Sequence, residues 1–248
     1  VESRARQQSP PPAVYVELKD GSNVFPLYLY PTDDLAGRAE AKDTPGGRRP
    51  NIAPNFIEEI GTRLGLSFVP DRTGDLKKTF GPEDILRYMY AIFYSLTYRS
   101  RYFEFLRSDF PRLPLTSDVK LFRTLCTLGT HLIDLHLFQA TGKRLPSFPV
   151  KGDGMVEKAI YIEPKREQPG RVWINETQYF ENVLQEIWDQ RIGGYQVCEK
   201  WLKDRKGRTL NYEDVQHYQR IVAAIGETIS LMVEIDSTIE KHGGWPLK

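Results

Sequence analysis

"RIGGYQVCEKWLKDRKGRTLNYEDVQHYQRI" (residues 191–221) holds the joint on which the fold turns. Tyr195, Cys198, Trp201 and Leu202 fall at helical spacing, and Lys203, Arg205 and Lys206 occupy the last turn, where the helix dipole favours cations. Gly207 then supplies a left-handed stop. A second helix follows at once. Asn211 is its expected N-cap with Asp214 three residues on, and Leu210 and Val215 are placed for a hydrophobic staple. From Val215 the apolar positions run through Tyr218, Val222, Ile225, Ile229 and Met232 and, past Asp236, to Ile239, in alternating steps of three and four. Such a seam lays one helix along another. At ~1.5 Å per residue the helix would be about 45 Å long, enough to brace the domain from within or to reach a partner. Charge changes sign at the joint. Residues 191–208 carry six cations against Glu199 and Asp204, whereas residues 209–241 carry Arg220 and Lys241 against six acids.

Upstream of the joint, "GMVEKAIYIEP" (154–164), "GRVWINETQYF" (170–180) and "EIWDQRI" (186–192) are short, β-branched and aromatic with turn residues between them. They predict antiparallel strands, with room for a helical turn around "QYFENVLQEIW". The section before them is helical. Pro82 at a first helical position, Glu83 and Asp84 in the first turn and the face Ile85, Tyr88, Met89, Ile92, Phe93 predict one helix. A second segment runs over 98–108, and a third starts with Ser117 as N-cap and shows Leu121, Phe122, Leu125, Leu128, Leu132 and Leu135 on one face. "NFIEEIGTRLGL" (55–66) is a short helix ending near Gly65. At the start, residues 1–12 have a disordered composition, and "AVYVELKD" and "VFPLYLYP" flank Gly21, Ser22 and Asn23 as a hairpin. A long loop, 32–50, closes on "GGRRPN".

The expected fold class is α+β: a helical block (80–140), a mainly β part with a small antiparallel sheet (145–192), and a long C-terminal helix (209–242) after a lead-in over 1–23. With 248 residues, 40% hydrophobic and 27% charged, the chain can bury roughly 70% of its unfolded surface. No apolar run approaches the ~20 residues of a bilayer span, so no membrane partner is expected. Cys126 and Cys198 are far apart in apolar patterns, which suggests neither a disulfide nor a metal site and fits a reducing, cytoplasmic compartment. The chain opens on Val1 without a signal peptide and reads as part of a longer polypeptide. A net charge of +1 decides nothing, since a nucleic-acid binder can be neutral overall and polarised locally.

The stretches "FGPEDILRYMYAIFYSLTYRSRYFEFLRSDFPRLPL" (80–115), "RIGGYQVCEKWLKDRKGRTL" (191–210) and "DVQHYQRIVAAIGETISLMVEID" (214–236) resemble the C-terminal specificity domain of single-polypeptide Type ISP restriction-modification enzymes and segments of adenine-specific DNA methylases. "FPLYLYP" (25–31) and "RRPNIAPNF" (48–56) fit the same family. The resemblance covers about 24–236. It implies a target recognition domain over 24–208 that reads a short asymmetric sequence in double-stranded DNA for the methyltransferase domain of the same polypeptide, with the long helix resembling a Type I specificity-subunit spacer. S-adenosylmethionine is implied for the parent enzyme and no cofactor for this chain. The alternative is a protein-interaction module that docks the parent's domains without reading bases.

Catalytic signatures are missing. There is no (N/D)PP(Y/F) motif, glycine-rich S-adenosylmethionine turn, Walker A lysine or nucleophile triad, so the chain is not expected to be an enzyme by itself. Pro70-Asp71 with Glu163-x-Lys165 imitates a metal-dependent nuclease pattern, but the separation of about ninety residues is long for that core. His131, His136, His217 and His242 lack ligand spacing. DNA reading needs cations for phosphates and planar polar groups for base edges. The candidates on predicted loops are Arg48, Arg49 and Asn51; Arg72, Thr73, Lys77 and Lys78; Lys143 and Arg144; Lys151; and Lys165, Arg166 and Arg171. Each alone is more often an ordinary solvated charge, and their concentration in loops bordering the expected sheet points to DNA more than any one of them does. The aromatics from Tyr88 to Phe103 offer a stacking platform in principle, but their helical spacing favours a core.

Overall fold

The computed structural model describes residues 13–18, 21–31, 47–165, 169–192 and 194–248, with side chains from residue 25 onward. The expectations for residues 1–12, for most of the loop 32–50 and for Arg166 lie outside them. The fold is α+β, and the chain divides into two compact units, Val1–Gly129 with Ile235–Lys248, and Thr130–Glu234.

In the first unit β1 (Ala13–Leu18) and β2 (Gly21–Pro26) pair antiparallel with Leu18 opposite Gly21. Gly21, Ser22 and Asn23 therefore lie in the strand rather than the turn, because the pairing runs to within two residues of the reversal. β3 (Tyr28–Leu29) pairs antiparallel with β4 (Arg49–Pro50). α1 (Pro54–Leu64) ends at Gly65, whose φ of 62° is the left-handed stop expected there. β5 (Ser67–Phe68) and β6 (Thr79–Phe80) form a short parallel pair.

α2 (Pro82–Tyr94) begins as its sequence dictates, with Pro82 in the first turn and Asp84 buried beneath it. The single segment expected over 98–108 is two pieces, α3 (Leu96–Arg101) and α4 (Phe103–Leu106). Between them Tyr102 leaves helical geometry (φ −107°, ψ 17°), its ring clustered with those of Tyr98 and Trp245. α5 (Val119–His136) is capped by Asp118 rather than Ser117. Asp118 Oδ1 accepts the amides of Lys120 and Leu121 at 2.8 and 3.1 Å, while the Ser117 amide donates to the Lys248 carbonyl instead.

In the second unit β7 (Ile160–Ile162), β8 (Arg171–Trp173) and β9 (Tyr179–Glu181) form the expected antiparallel sheet. The run 186–192 is not one strand. Residues 186–188 lie in the helical turn for which the sequence left room, α6 (Gln185–Trp188), and β10 (Arg191–Ile192) follows and pairs with β11 (Tyr195–Gln196). α7 (Val197–Lys203) and α8 (Tyr212–Lys241) complete the chain. The Phe180 and Tyr218 rings meet 4.4 Å apart at a tilt of 51° in a core that gathers Val172, Ile174, Cys198, Leu202 and Val222.

The joint between α7 and α8 is closed by side chains. Asn211 and Asp214 form a reciprocal capping box, and Leu210 is buried beside it. Arg205 lies flat on Trp201 with its guanidinium carbon 3.5 Å from the ring centre, and its Nε stands 3.6 Å from Asp214. The cationic helix end thus anchors the start of the acidic helix. Tyr218, Val222 and Ile225 of the seam are buried in the second unit and Ile239 in the first, so the seam is covered by the chain itself.

Candidate nucleic-acid interface

The loop between β5 and β6 in the first unit carries Arg72, Thr73, Lys77 and Lys78, all exposed. Two carboxylates fix its backbone. Asp75 Oδ1 accepts the amides of Lys77, Lys78 and Thr79 at 2.8 to 2.9 Å and the Thr79 hydroxyl at 3.1 Å. These amides, Lys78's first, hold the Asp75 carboxyl far below the usual carboxylate range. Asp84 Oδ2 accepts the Gly74 and Gly81 amides at 2.7 and 2.9 Å, although burial raises its own pKa. A Cβ on Gly74 would stand 2.4 Å from the Thr79 carbonyl carbon, so the loop is folded tightly back on β6. The Arg123 guanidinium donates to the Leu76 carbonyl from beneath. Lysine and arginine side chains are thereby presented on a preorganised support.

The 48–51 and 72–78 groups, apart in sequence, meet at Asp71 and Tyr28. Arg48 donates to Asp71 Oδ1 at 2.8 and 2.9 Å and covers the Tyr28 ring at 3.8 Å, and the Arg72 amide donates to the Tyr28 hydroxyl at 2.8 Å. Arg48 is thus committed to building the site. Arg49 is exposed on β4, and Asn51 donates to the Pro26 carbonyl. The Arg72 side chain is 79% exposed on a backbone of φ 56°, with its Nε 3.7 Å from Asp71 Oδ2.

In the second unit the candidates are dispersed. Lys143 and Arg144 line a cavity of about 750 Å³, where Lys143 Nζ lies 2.9 Å from Glu227, which raises the lysine's pKa. Lys151 stands on an exposed turn held from inside by the buried Gln178, whose Oε1 accepts the Gly154 amide at 2.8 Å. Lys165 is exposed. Arg171 is committed to Glu181 through two bonds of 2.7 and 2.9 Å and lies over the Tyr179 ring. Lys206 and Arg208, not among the candidates, are exposed beyond α7.

Asp75 and Gln178 were missed by reading loops for cations. Asp75 did have a signal, an Asp followed within four residues by a threonine in a polar turn, and Gln178 had none. Of the aromatic platform, Tyr88 and Tyr98 are core residues. Asp71 and Glu163 fall in different units. Among the described residues no three of His, Cys, Asp and Glu are grouped to hold a metal ion, and no helix is long and apolar enough to cross a membrane.

A family model, the Type ISP C-terminal specificity domain, matches residues 8–234. A search of curated proteins finds no match. Among solved structures the chain is similar to the ATP-dependent Type ISP restriction-modification enzyme LlaBIII bound to DNA, with a TM-score of 0.56 and 18% identity over 93% of this chain and 14% of that one. It is also similar to a chain of the cryo-EM DrdV–DNA complex, with a TM-score of 0.54 and 20% identity over 89% and 21%. A nuclease-deletion mutant of the Type ISP enzyme LlaGI in complex with a DNA substrate mimic gives 0.48 and 20% over 61% and 13%. At these identities LlaBIII and DrdV speak for the fold. The chain spans 13–21% of the length of the solved chains it matches.

Proposed function

The chain belongs to the Type ISP C-terminal specificity domain family, and from that premise we propose that it reads a short sequence in double-stranded DNA for a longer restriction-modification polypeptide. The observation that carries this reading is the loop between β5 and β6, where Arg72, Thr73, Lys77 and Lys78 stand exposed on a backbone fixed by Asp75 and Asp84. Lys77 and Lys78 neutralise phosphates, and Arg72 and Thr73 at the crest reach base edges. Arg49, Lys143, Arg144, Lys151 and Lys165 add phosphate contacts, while Arg48 and Arg171 position the surface. The chain itself performs no chemistry. The parent is an adenine-N6 methyltransferase of the cytoplasm that supplies the S-adenosylmethionine site from another domain. LlaBIII and DrdV were solved with DNA, which supports the reading.

Selection from a randomised duplex library at low salt, followed by sequencing, tests it. Enrichment of one short asymmetric motif containing adenine is the expected result, and recovery of unbiased DNA or none overturns it. One observation favours a second reading, a docking module. A cavity of about 650 Å³ in the first unit is lined by apolar side chains including Phe56, Met89 and Phe93, and Phe25 and Phe110 meet edge to face at its rim, 5.8 Å apart. That reading expects Phe110→Ser to abolish association with the methyltransferase domain while leaving DNA binding unchanged.

A further inference from the structure

The hairpin β10–β11 is the part of the opening motif that the joint does not absorb. Ile192 stands directly opposite Tyr195, so their side chains emerge on one face of the ribbon. Ile192 is 57% and Tyr195 60% exposed, an aliphatic and an aromatic group on the outermost strand pair of the hairpin. The base of the hairpin is fixed. Gln196 donates to the Trp188 carbonyl, the Val197 amide reaches the Gln190 carbonyl at 3.4 Å, and Trp188, Cys198 and Leu202 behind it are buried. Arg191 is exposed beside Ile192, and Lys200 Nζ lies 6.0 Å from the Tyr195 ring centre. An apolar pair on a short, anchored post within a cationic segment is an unusual thing to leave in water.

We propose that this tip is a wedge for duplex DNA: Ile192 and Tyr195 press into a base step and unstack it. The proposal rests on the DNA-reading function above and adds to it a deformation of the target. Size and charge favour DNA over protein. A stable protein interface buries about 800 Å² per partner, and the tip offers two side chains. A two-stranded ribbon, with strands about 4.8 Å apart, fits a groove about 12 Å wide. Minor-groove binders show that apolar side chains pushed between base steps partly unstack them and kink the duplex, and Ile192 and Tyr195 are side chains of that chemistry. A loosened stack also lowers the cost of extruding a base, which chemistry on a base inside a duplex requires.

Permanganate footprinting, which reports unstacked thymines, tests the wedge on a set of end-labelled mixed-sequence duplexes that includes the sequence enriched by selection. The unaltered chain is expected to make thymines reactive at its bound site. The double variant Ile192→Ser/Tyr195→Ser is expected to lose that reactivity and to bind about fivefold or more weakly, while Tyr195→Phe retains both. Because both side chains are more than half exposed, the thermal midpoint of the double variant should match the parent's. DNA binding without reactive thymines, or a footprint unchanged by the double substitution, overturns the wedge and leaves the DNA-reading function standing. Failure of the unaltered chain to bind any duplex overturns both.

Discussion

The Asp236 carboxylate accepts the Ser95 hydroxyl at 2.5 Å and, through its other oxygen, the Thr97 amide at 3.0 Å. Ser95 is itself the N-cap of α3, its Oγ accepting the Tyr98 amide at 3.0 Å. The one polar step in the apolar seam of α8 is therefore a capping partner. Asp236→Ala strands the buried Ser95 hydroxyl and the Thr97 amide, and should cost about 1–3 kcal/mol. The denaturant midpoint should fall with its slope unchanged, and Asp236→Asn, which keeps one acceptor, should fall less.

Lys77→Glu with Lys78→Glu should weaken DNA binding on every sequence and reduce the slope of log affinity against log salt by about 2, measured by fluorescence anisotropy. Thermal stability should be unchanged, since both side chains are exposed. Asp75→Ala leaves every cation in place but releases three loop amides, and should cost sequence preference more than salt slope. Because the Asp75 pKa is depressed, its contribution is present above the unfolded value near ~3.9 and is lost only as pH falls through the lower folded value. DNA binding should therefore show no Asp75-dependent change between about pH 8 and pH 5.

Gly129 sits in α5 where an added Cβ would stand 1.9 Å from the Arg87 carbonyl oxygen on α2. Backbone, unlike a side chain, cannot swing aside. Gly129→Ala should destabilise the protein by about 1–3 kcal/mol or more through overpacking, despite alanine's better helix propensity. A rise in the melting midpoint would contradict that close approach.

His136 Nε2 lies 3.0 Å from Thr228 Oγ1, and the Thr228 hydroxyl donates to the Ala224 carbonyl, which leaves the imidazole as the donor. Burial lowers the His136 pKa. The unfolded chain therefore takes up this proton first, near pH ~6.5, so the stabilisation is complete above that value and is lost as pH falls toward the lower folded pKa. Melting at about pH 5.5 should come below that at about pH 7.5, and His136→Gln should flatten the difference.

Sequence alone determined what depends on neighbours a few residues apart. The Gly65 stop, Pro82 with its acidic first turn, the Asn211–Asp214 capping box and the seam of α8 are all local periodicity and capping, and all stand where the sequence placed them. Arg49, Arg72, Lys77, Lys78, Lys143, Arg144, Lys151 and Lys165 are exposed, as cations on loops are expected to be, whereas Arg48 and Arg171 are not. Tertiary structure decided which neighbours compete for the same atoms. Asp118 rather than Ser117 caps α5, and the Ser117 amide is held by the Lys248 carbonyl from the other end of the chain. It also sorted the cations, turning Arg48 and Arg171 into braces while leaving Lys77 and Lys78 on a loop held by Asp75. Arg48 and Arg171 are braces because each is part-buried between a carboxylate and a ring, and Asp71 and Arg48 are 23 residues apart in sequence yet 2.8 Å apart in space.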